Sequence, residues 1–264
     1  MSWWGKIIGG YFGFVLGGPI GALLGAALGH NFDKGLKGFS QTGPGMGHQQ
    51  RSQAAFFTAT FSVMGHVCKA DGRVTQDEIE TARMIMSRMN LLPAQKKAAI
   101  ALFNEGKKKD FPLEDVLLQL KHELGMSRDI KRMFIEIQCY AAYADGVMHP
   151  HEKKLLIRIC NIIGFSQYEF ESIAAAISAQ FHHKSSDKAG KPKKISLHDA
   201  YSILNVSTNA KDNEVKRAYR RLMSQHHPDK LVSKGLPDEM IKLATERTQE
   251  IREAYERVMD ERKK

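Results

Sequence analysis

The sequence predicts an all-α chain in three parts: one membrane-spanning helix, a helical middle domain and a small C-terminal helical bundle. Three observations predict it. Ile7 to Gly29 is a run of twenty-three residues without a charge. Apolar residues recur at three- or four-residue steps from 52 to 180. Three further apolar stripes follow between 197 and 264. A chain of 264 residues has room for one or two globular units beside such segments.

The N-terminal run is long enough, at 1.5 Å per residue, to cross a hydrocarbon core about 30 Å thick. It exceeds the roughly 7–15 apolar residues of a secretory signal, and Lys6 supplies only a thin basic flank, so 7–29 is read as an anchor. Nine glycines among residues 5 to 29 argue against a helix in water, where each costs about 1 kcal/mol relative to Ala. In lipid they are better tolerated. Gly5, Gly9, Gly13, Gly17, Gly21, Gly25 and Gly29 recur at every fourth position, leaving a ridge on which a second helix can approach. A homodimer through Gly9, Gly13, Gly17, Gly21 and Gly25 is the expectation. Pro19 is expected to kink this helix or leave a carbonyl to be satisfied locally. Trp3, Trp4 and Tyr11 fit an interfacial belt. Lys6 precedes the span while Lys34, Lys37 and Arg51 follow it, which places the C-terminal bulk in the cytoplasm. In a bacterium this means a single-pass inner-membrane protein with residues 1–6 outside.

Residues 30–51 have linker composition, with Gly35, Gly38, Gly43, Pro44, Gly45 and Gly47 and no apolar period. Residues 52–180 then read as about seven helices and no strand. Phe57, Phe61, Met64 and Cys68 form one stripe, and Phe134, Ile137, Tyr140 and Ala141 another. Pro93, Pro112 and Pro150 mark helix starts, Ser127 and Ser166 are candidate N-caps, and Gly106, Gly125 and Gly164 are candidate stops. Ala70-Asp71-Gly72 with Glu78 and Ala144-Asp145-Gly146 with Glu152 repeat at an offset of 74 residues, which suggests a duplicated helical hairpin. The same spacing matches part of an EF-hand loop, but the first and third ligand positions would be Val67 and Lys69, or Ala141 and Tyr143. Turns followed by an acidic helix start are the simpler reading, with no metal expected.

The net charge of +10 is diffuse: residues 1–180 hold twenty basic and sixteen acidic side chains, 181–196 five and one, and 197–264 fourteen and twelve. No groove-like basic stretch stands out, and no nucleic-acid partner is expected. Cys68, Cys139 and Cys160 are an odd number without a C-x-x-C pair, which fits neither a disulfide framework nor structural zinc and favours a reducing compartment. Residues 181–196, rich in Lys, Ser, Gly and Pro between 184 and 194, read as a second linker.

In residues 197–264, Leu197, Ala200, Tyr201 and Leu204 stripe one helix, Val215, Ala218, Tyr219 and Leu222 a second, and Ile251, Ala254, Tyr255 and Val258 a third. Three such helices pack as a small bundle. Lys216, Arg217, Arg220 and Arg221 form a cationic band on the outer side of the second helix, able to steer an acidic partner. Pro228 ends that helix and displays His227 and Asp229 at its tip. A hydrolase would need a nucleophile, a metal set or an orienting group beside this pair. Ser224 lies three residues before His227 but in no nucleophile motif, so the chain is not read as an enzyme.

The residues H-D-A-Y-S-I-L-N-V, E-V-K-R-A-Y-R-R-L-M-S-Q-H-H-P-D-K and Q-E-I-R-E-A-Y-E-R-V together resemble a complete J domain of the DnaJ family. The paired K-A-D-G-R-V and Y-A-D-G-V-M turns of 52–180 resemble the TerB-like helical domain of tellurite-resistance proteins. The whole order resembles the membrane-anchored J-domain co-chaperones of bacteria. The resemblance implies that Lys216, Arg217, Arg220 and Arg221 dock on acidic surface of DnaK while His227, Pro228 and Asp229 engage it near its interdomain linker. ATP hydrolysis in DnaK is thereby accelerated, and the chain itself needs no cofactor. It further implies a role in envelope-stress or capsule signalling. Full DnaJ proteins carry a glycine/phenylalanine-rich segment and four C-x-x-C-x-G-x-G repeats; their absence puts general client binding in doubt. The alternative is a TerB-type stress-sensing scaffold that binds a metal, metabolite or membrane partner, with the J domain secondary.

Overall fold

The computed structural model describes residues 20, 22–23, 47–70, 76–89, 91–143, 146–186 and 195–263. Among them there is no strand. The middle domain contains α1 (His48–Val67), α2 (Gln76–Arg88), α3 (Pro93–Gly106), α4 (Leu113–Glu123), α5 (Arg128–Ala142), α6 (Pro150–Ile163) and α7 (Gln167–Ser186). The C-terminal unit contains α8 (Leu197–Leu204), α9 (Asp212–Gln225), α10 (Pro228–Ser233), a 3₁₀ turn (Asp238–Met240) and α11 (Ile241–Arg262).

Helix α1 is the axis of the middle domain. The expected stripe of Phe57, Phe61, Met64 and Cys68 is buried, and so are Phe56, Thr58, Ala59, Thr60, Ser62 and Val63. A helix apolar on nearly every side must be surrounded, and α3, α4 and α5 pack around it. Its polar core groups are only partly answered within the fold: Ser62 Oγ donates to Thr58 O at 2.7 Å and Gln138 Nε2 donates to Thr60 O at 3.1 Å. The crossing with α3 is backbone against backbone, since a Cβ on Gly106 would fall 1.7 Å from Ser62 O. Gly106, the last residue of α3, is therefore required for this close approach.

Pro93 and Pro150 open α3 and α6, and Pro112 immediately precedes α4. Ser166 and Glu169 cap the start of α7 reciprocally, each backbone amide donating to the other's side chain. Ser127 occupies the N-cap of α5 but makes no side-chain cap bond. Glu152 is buried and accepts from the His149 amide at 2.9 Å, a structural use for the acidic residue of the second repeat. Asp71, Gly72, Ala144 and Asp145 of the repeated turns lie outside the described residues.

Two helices run into stretches expected to be linkers. α1 starts at His48, inside 30–51, and α7 continues to Ser186, inside 181–196. Burial sustains α7: Phe181 lies 4.6 Å from the Tyr140 ring and 6.0 Å from that of Tyr143, and Ala179 belongs to the core of the C-terminal bundle. At the start of α1 two glutamines donate to the C-terminal unit: Gln49 to Val232 O and Gln53 to Leu236 O, both at 3.3 Å.

Within the bundle, Ala200, Tyr201, Leu204, Val215, Ala218, Leu222, Ile251, Ala254 and Val258 are buried as the stripes predict. Tyr219 and Tyr255 are half-buried and stack at 4.2 Å. Ser196 caps α8 by accepting from the Asp199 amide at 3.0 Å.

Of the apolar N-terminal run, Ile20, Ala22 and Leu23 are described. Ile20 and Leu23 lie in the middle domain's core cluster, and the Ile20 amide donates to Gln119 Oε1 at 2.8 Å. These two side chains, from the stretch expected to span the membrane, contact protein here; apolar surface is removed from water equally by protein and by lipid. Gly9, Gly13, Gly17, Gly21 and Gly25 lie outside the described residues, and among the described residues no helix is long and apolar enough to cross a membrane.

Candidate functional site

Helix α9 starts with Asp212 and Glu214 in its first turn, where acidic groups complement the helix dipole, and Glu214 accepts from the Lys211 amide at 2.6 Å. Its burial of Val215, Ala218 and Leu222 turns Lys216, Arg217, Arg220 and Arg221 outward, and all four are exposed. None of these four pairs with a carboxylate among the described residues. The band is an uncompensated positive surface.

The helix ends at Gln225. His226 is its C-cap, His227 is extended at φ −61° and ψ 122°, and Pro228 opens α10. Pro228 fits there because a first-turn position needs no amide donor. His227 and Asp229 are exposed and Pro228 is half-buried, so the structure places the three at the end of the cationic band. Ser224 Oγ accepts from Lys230 Nζ at 3.2 Å. Among the described residues no group of three or more His, Cys, Asp or Glu could hold a metal.

The reverse side of this loop is fixed to the middle domain. His226 is 1% exposed, and its Nε2 lies 2.9 Å and 3.0 Å from the carboxylate oxygens of Glu136 on α5. Its Nδ1 lies 2.9 Å from Leu222 O. Both ring nitrogens thus face oxygen atoms of Leu222 and Glu136. Glu136 also accepts from Arg132 Nε at 3.0 Å and lies 3.7 Å from Arg247 Nε. Burial pushes its carboxyl up, but His226, Arg247 and Arg132 together hold it well below the usual carboxylate range.

Around this ionic centre, Leu231, Leu236, Met240 and Ala244 are fully buried in the same cluster as the middle-domain core. Asp129 receives Lys234 at 2.7 Å and Lys230 at 3.1 Å. Arg88 of α2 lies 3.7 Å from Glu246 of α11, and Gln95 of α3 hydrogen-bonds Glu239. Gly235, at φ +102°, sits against Ser52, where a Cβ would fall 2.6 Å from the Ser52 Cβ. The J-like bundle therefore docks through α10, the 3₁₀ turn and the start of α11, and presents α9, His227 and Asp229 outward.

Sequence reasoning missed this docked face. Between α9 and α11 the chain forms α10 and the 3₁₀ turn, two elements beyond the three helices that the stripes predict. The signal was Leu231, Leu236 and Met240, apolar residues that none of the three bundle stripes uses.

The family model described as "Tellurite resistance protein TerB" matches residues 57–175, "DnaJ domain" matches 199–264, and "Co-chaperone DjlA transmembrane domain" matches 1–41. A protein named "Co-chaperone protein DjlA" from Vibrio cholerae serotype O1 is 46% identical over 277 residues, covering 98% of each chain. Proteins of the same name from Coxiella burnetii and Legionella pneumophila are 42% and 40% identical, covering 98% of this chain and 97% and 95% of theirs. No solved structure matches the chain.

Proposed function

Because the chain belongs to the DjlA co-chaperone family, we propose that it accelerates ATP hydrolysis by a DnaK-type partner from the membrane surface. Lys216, Arg217, Arg220 and Arg221 dock on acidic surface of the partner, and His227, Pro228 and Asp229 engage it at the tip. The observation that carries this reading is the division of faces: the cationic band, His227 and Asp229 are exposed while the opposite side of the loop is buried against α5. The chain acts as an effector that favours the hydrolysis-competent state of its partner; nucleotide and catalytic groups belong to that partner.

Residues 7–29 anchor the chain as a single span, with residues 1–6 periplasmic and the remainder cytoplasmic. The ridge of Gly9, Gly13, Gly17, Gly21 and Gly25 pairs with a second copy. Tethering raises the local concentration of the J domain for chaperone working at the inner face of the membrane, in envelope-stress or capsule-related signalling. The uncharged run and the match to a transmembrane-domain family over 1–41 support the anchor.

The test is single-turnover ATP hydrolysis by DnaK with the full chain in detergent micelles, with and without His227→Gln. Stimulation that the variant loses supports the reading. No stimulation by the folded parent chain would refute it.

A further inference from the structure

A second site lies about 20 Å along α1 from the docked bundle, at the 1.5 Å rise of a helix. There a cavity of about 440 Å³ opens between three elements of the middle domain. The end of α1 contributes His66 and the turn after it Lys69. The loop after α3 contributes Lys107, Lys108 and Lys109, and α6 contributes His151, Lys154 and Arg158. Among the described residues the rest of the lining is Ala70 and Leu155, with no carboxylate.

Two of these cations are answered from outside the cavity: Lys108 by Glu105 and Arg158 by Glu114, each at 2.5 Å. Lys107 lies 5.2 Å from the centre of the Phe103 ring. Lys69, Lys109 and Lys154 have no anionic partner among the described residues. The chain thus gathers like charges from positions far apart in sequence against their mutual repulsion, and among the described residues the side chains of Lys69, Lys109 and Lys154 have no ion-pair partner that would account for it. The volume falls in the range of small-ligand sites, roughly 300–1,000 Å³. Lysines at the mouth of such a cavity act as point charges suited to phosphate oxygens.

We propose that this cavity binds a phosphate-bearing ligand, whether a soluble phosphoester or the headgroup of an anionic lipid. Several unpaired cations suit a ligand carrying two or more negative charges, and the apolar lining at Ala70 and Leu155 suits a small organic portion. His66 reports occupancy. Its Nδ1 lies 3.1 Å from Gly106 O, and its pKa is lowered by burial and, more weakly, by Arg158, while the Gly106 contact raises it. A bound anion offsets Arg158 and raises that pKa.

The experiment uses the full chain in nanodiscs. In phosphatidylcholine discs, inorganic pyrophosphate is titrated by calorimetry, and His66 is followed by NMR across pH. In a second arm, phosphatidylglycerol replaces part of the phosphatidylcholine, with no pyrophosphate. Saturable pyrophosphate binding with a raised His66 pKa supports the site with a soluble ligand. A raised His66 pKa in the phosphatidylglycerol arm alone supports it with a headgroup. Lys107→Gln/Lys154→Gln weakens pyrophosphate binding by about tenfold or more, at the strength of charge-assisted hydrogen bonds. The single exposed Lys154→Gln, which keeps the Lys107 contact to Phe103, shifts it the same way. Lys96→Gln/Lys97→Gln, exposed on α3 and outside the cavity, leaves binding and His66 unchanged. No response in either arm, or an equal loss in the Lys96/Lys97 variant, overturns the proposal. None of these readouts depends on a partner ATPase.

Discussion

Glu136 of the middle domain and His226 of the C-terminal bundle, ninety residues apart in sequence, meet at 2.9 Å with both side chains buried. His226 immediately precedes His227, so the residue that fixes the bundle to the middle domain is covalently next to the one displayed at its tip. The orientation of the exposed loop is set by a buried charge on another domain.

Removing that charge is expected to cost far more than a surface pair. Glu136→Gln keeps the shape but removes the carboxylate that faces His226, Arg132 and Arg247, a change of about 3–5 kcal/mol for broken buried pairs. Urea denaturation of the full chain in detergent should show this loss. A loss below about 1 kcal/mol would mean that the centre is hydrated and weak.

The acid dependence of docking follows from the same carboxylate. Its folded pKa lies below its unfolded value, so its contribution is present above the ordinary Glu pKa of about 4.3 and is lost as pH falls through the folded value. Asp129 has the same sign: burial raises its pKa, but Lys234 and Lys230 bring the net value down. Energy transfer between dyes on the two domains should therefore stay constant from about pH 7 to 5 and fall in more acidic solution. Loss of docking between about pH 7 and 5 would contradict it.

Gly235→Ala is expected to weaken docking by about 1–3 kcal/mol, combining a left-handed backbone with overpacking. The added methyl meets the Ser52 Cβ at 2.6 Å, and φ is +102°. Ser52→Gly in the same chain relieves the clash but not the backbone strain, so the pair should recover part of the loss. Full recovery, read by thermal unfolding, would assign the whole effect to the clash.

The cationic band predicts a kinetic effect. Arg220→Ala/Arg221→Ala should lower the association rate with DnaK by about tenfold at low salt and make it less salt-dependent. Both residues are exposed, so thermal stability should not change. Stopped-flow binding at several ionic strengths checks this; an unchanged salt slope would remove the band from the docking surface.

The three cysteines are buried and unpaired. Burial pushes the Cys160 thiol up to about 12 and raises that of Cys139 well above its usual value. A thiolate-directed reagent should label neither in the native chain and all three cysteines in urea. Prompt native labelling of Cys139 or Cys160 would show that the core opens locally.

The sequence alone determined the helical class, the helix starts at Pro93 and Pro150, the three bundle stripes, and the exposed band with His227 and Asp229. Those features depend on near neighbours: a proline's fixed angle, a cap, or a period of 3.6 residues that sorts apolar from charged faces. Tertiary structure alone decided that α1 starts at His48 and α7 runs to Ser186, that Leu231, Leu236 and Met240 face the middle domain, and that His226, Glu136 and Arg247 share one buried centre. It also brought His66, Lys107 and Lys154 to one cavity. Burial and charge pairing act through space, and no local pattern records which distant segment will supply the other half of a contact.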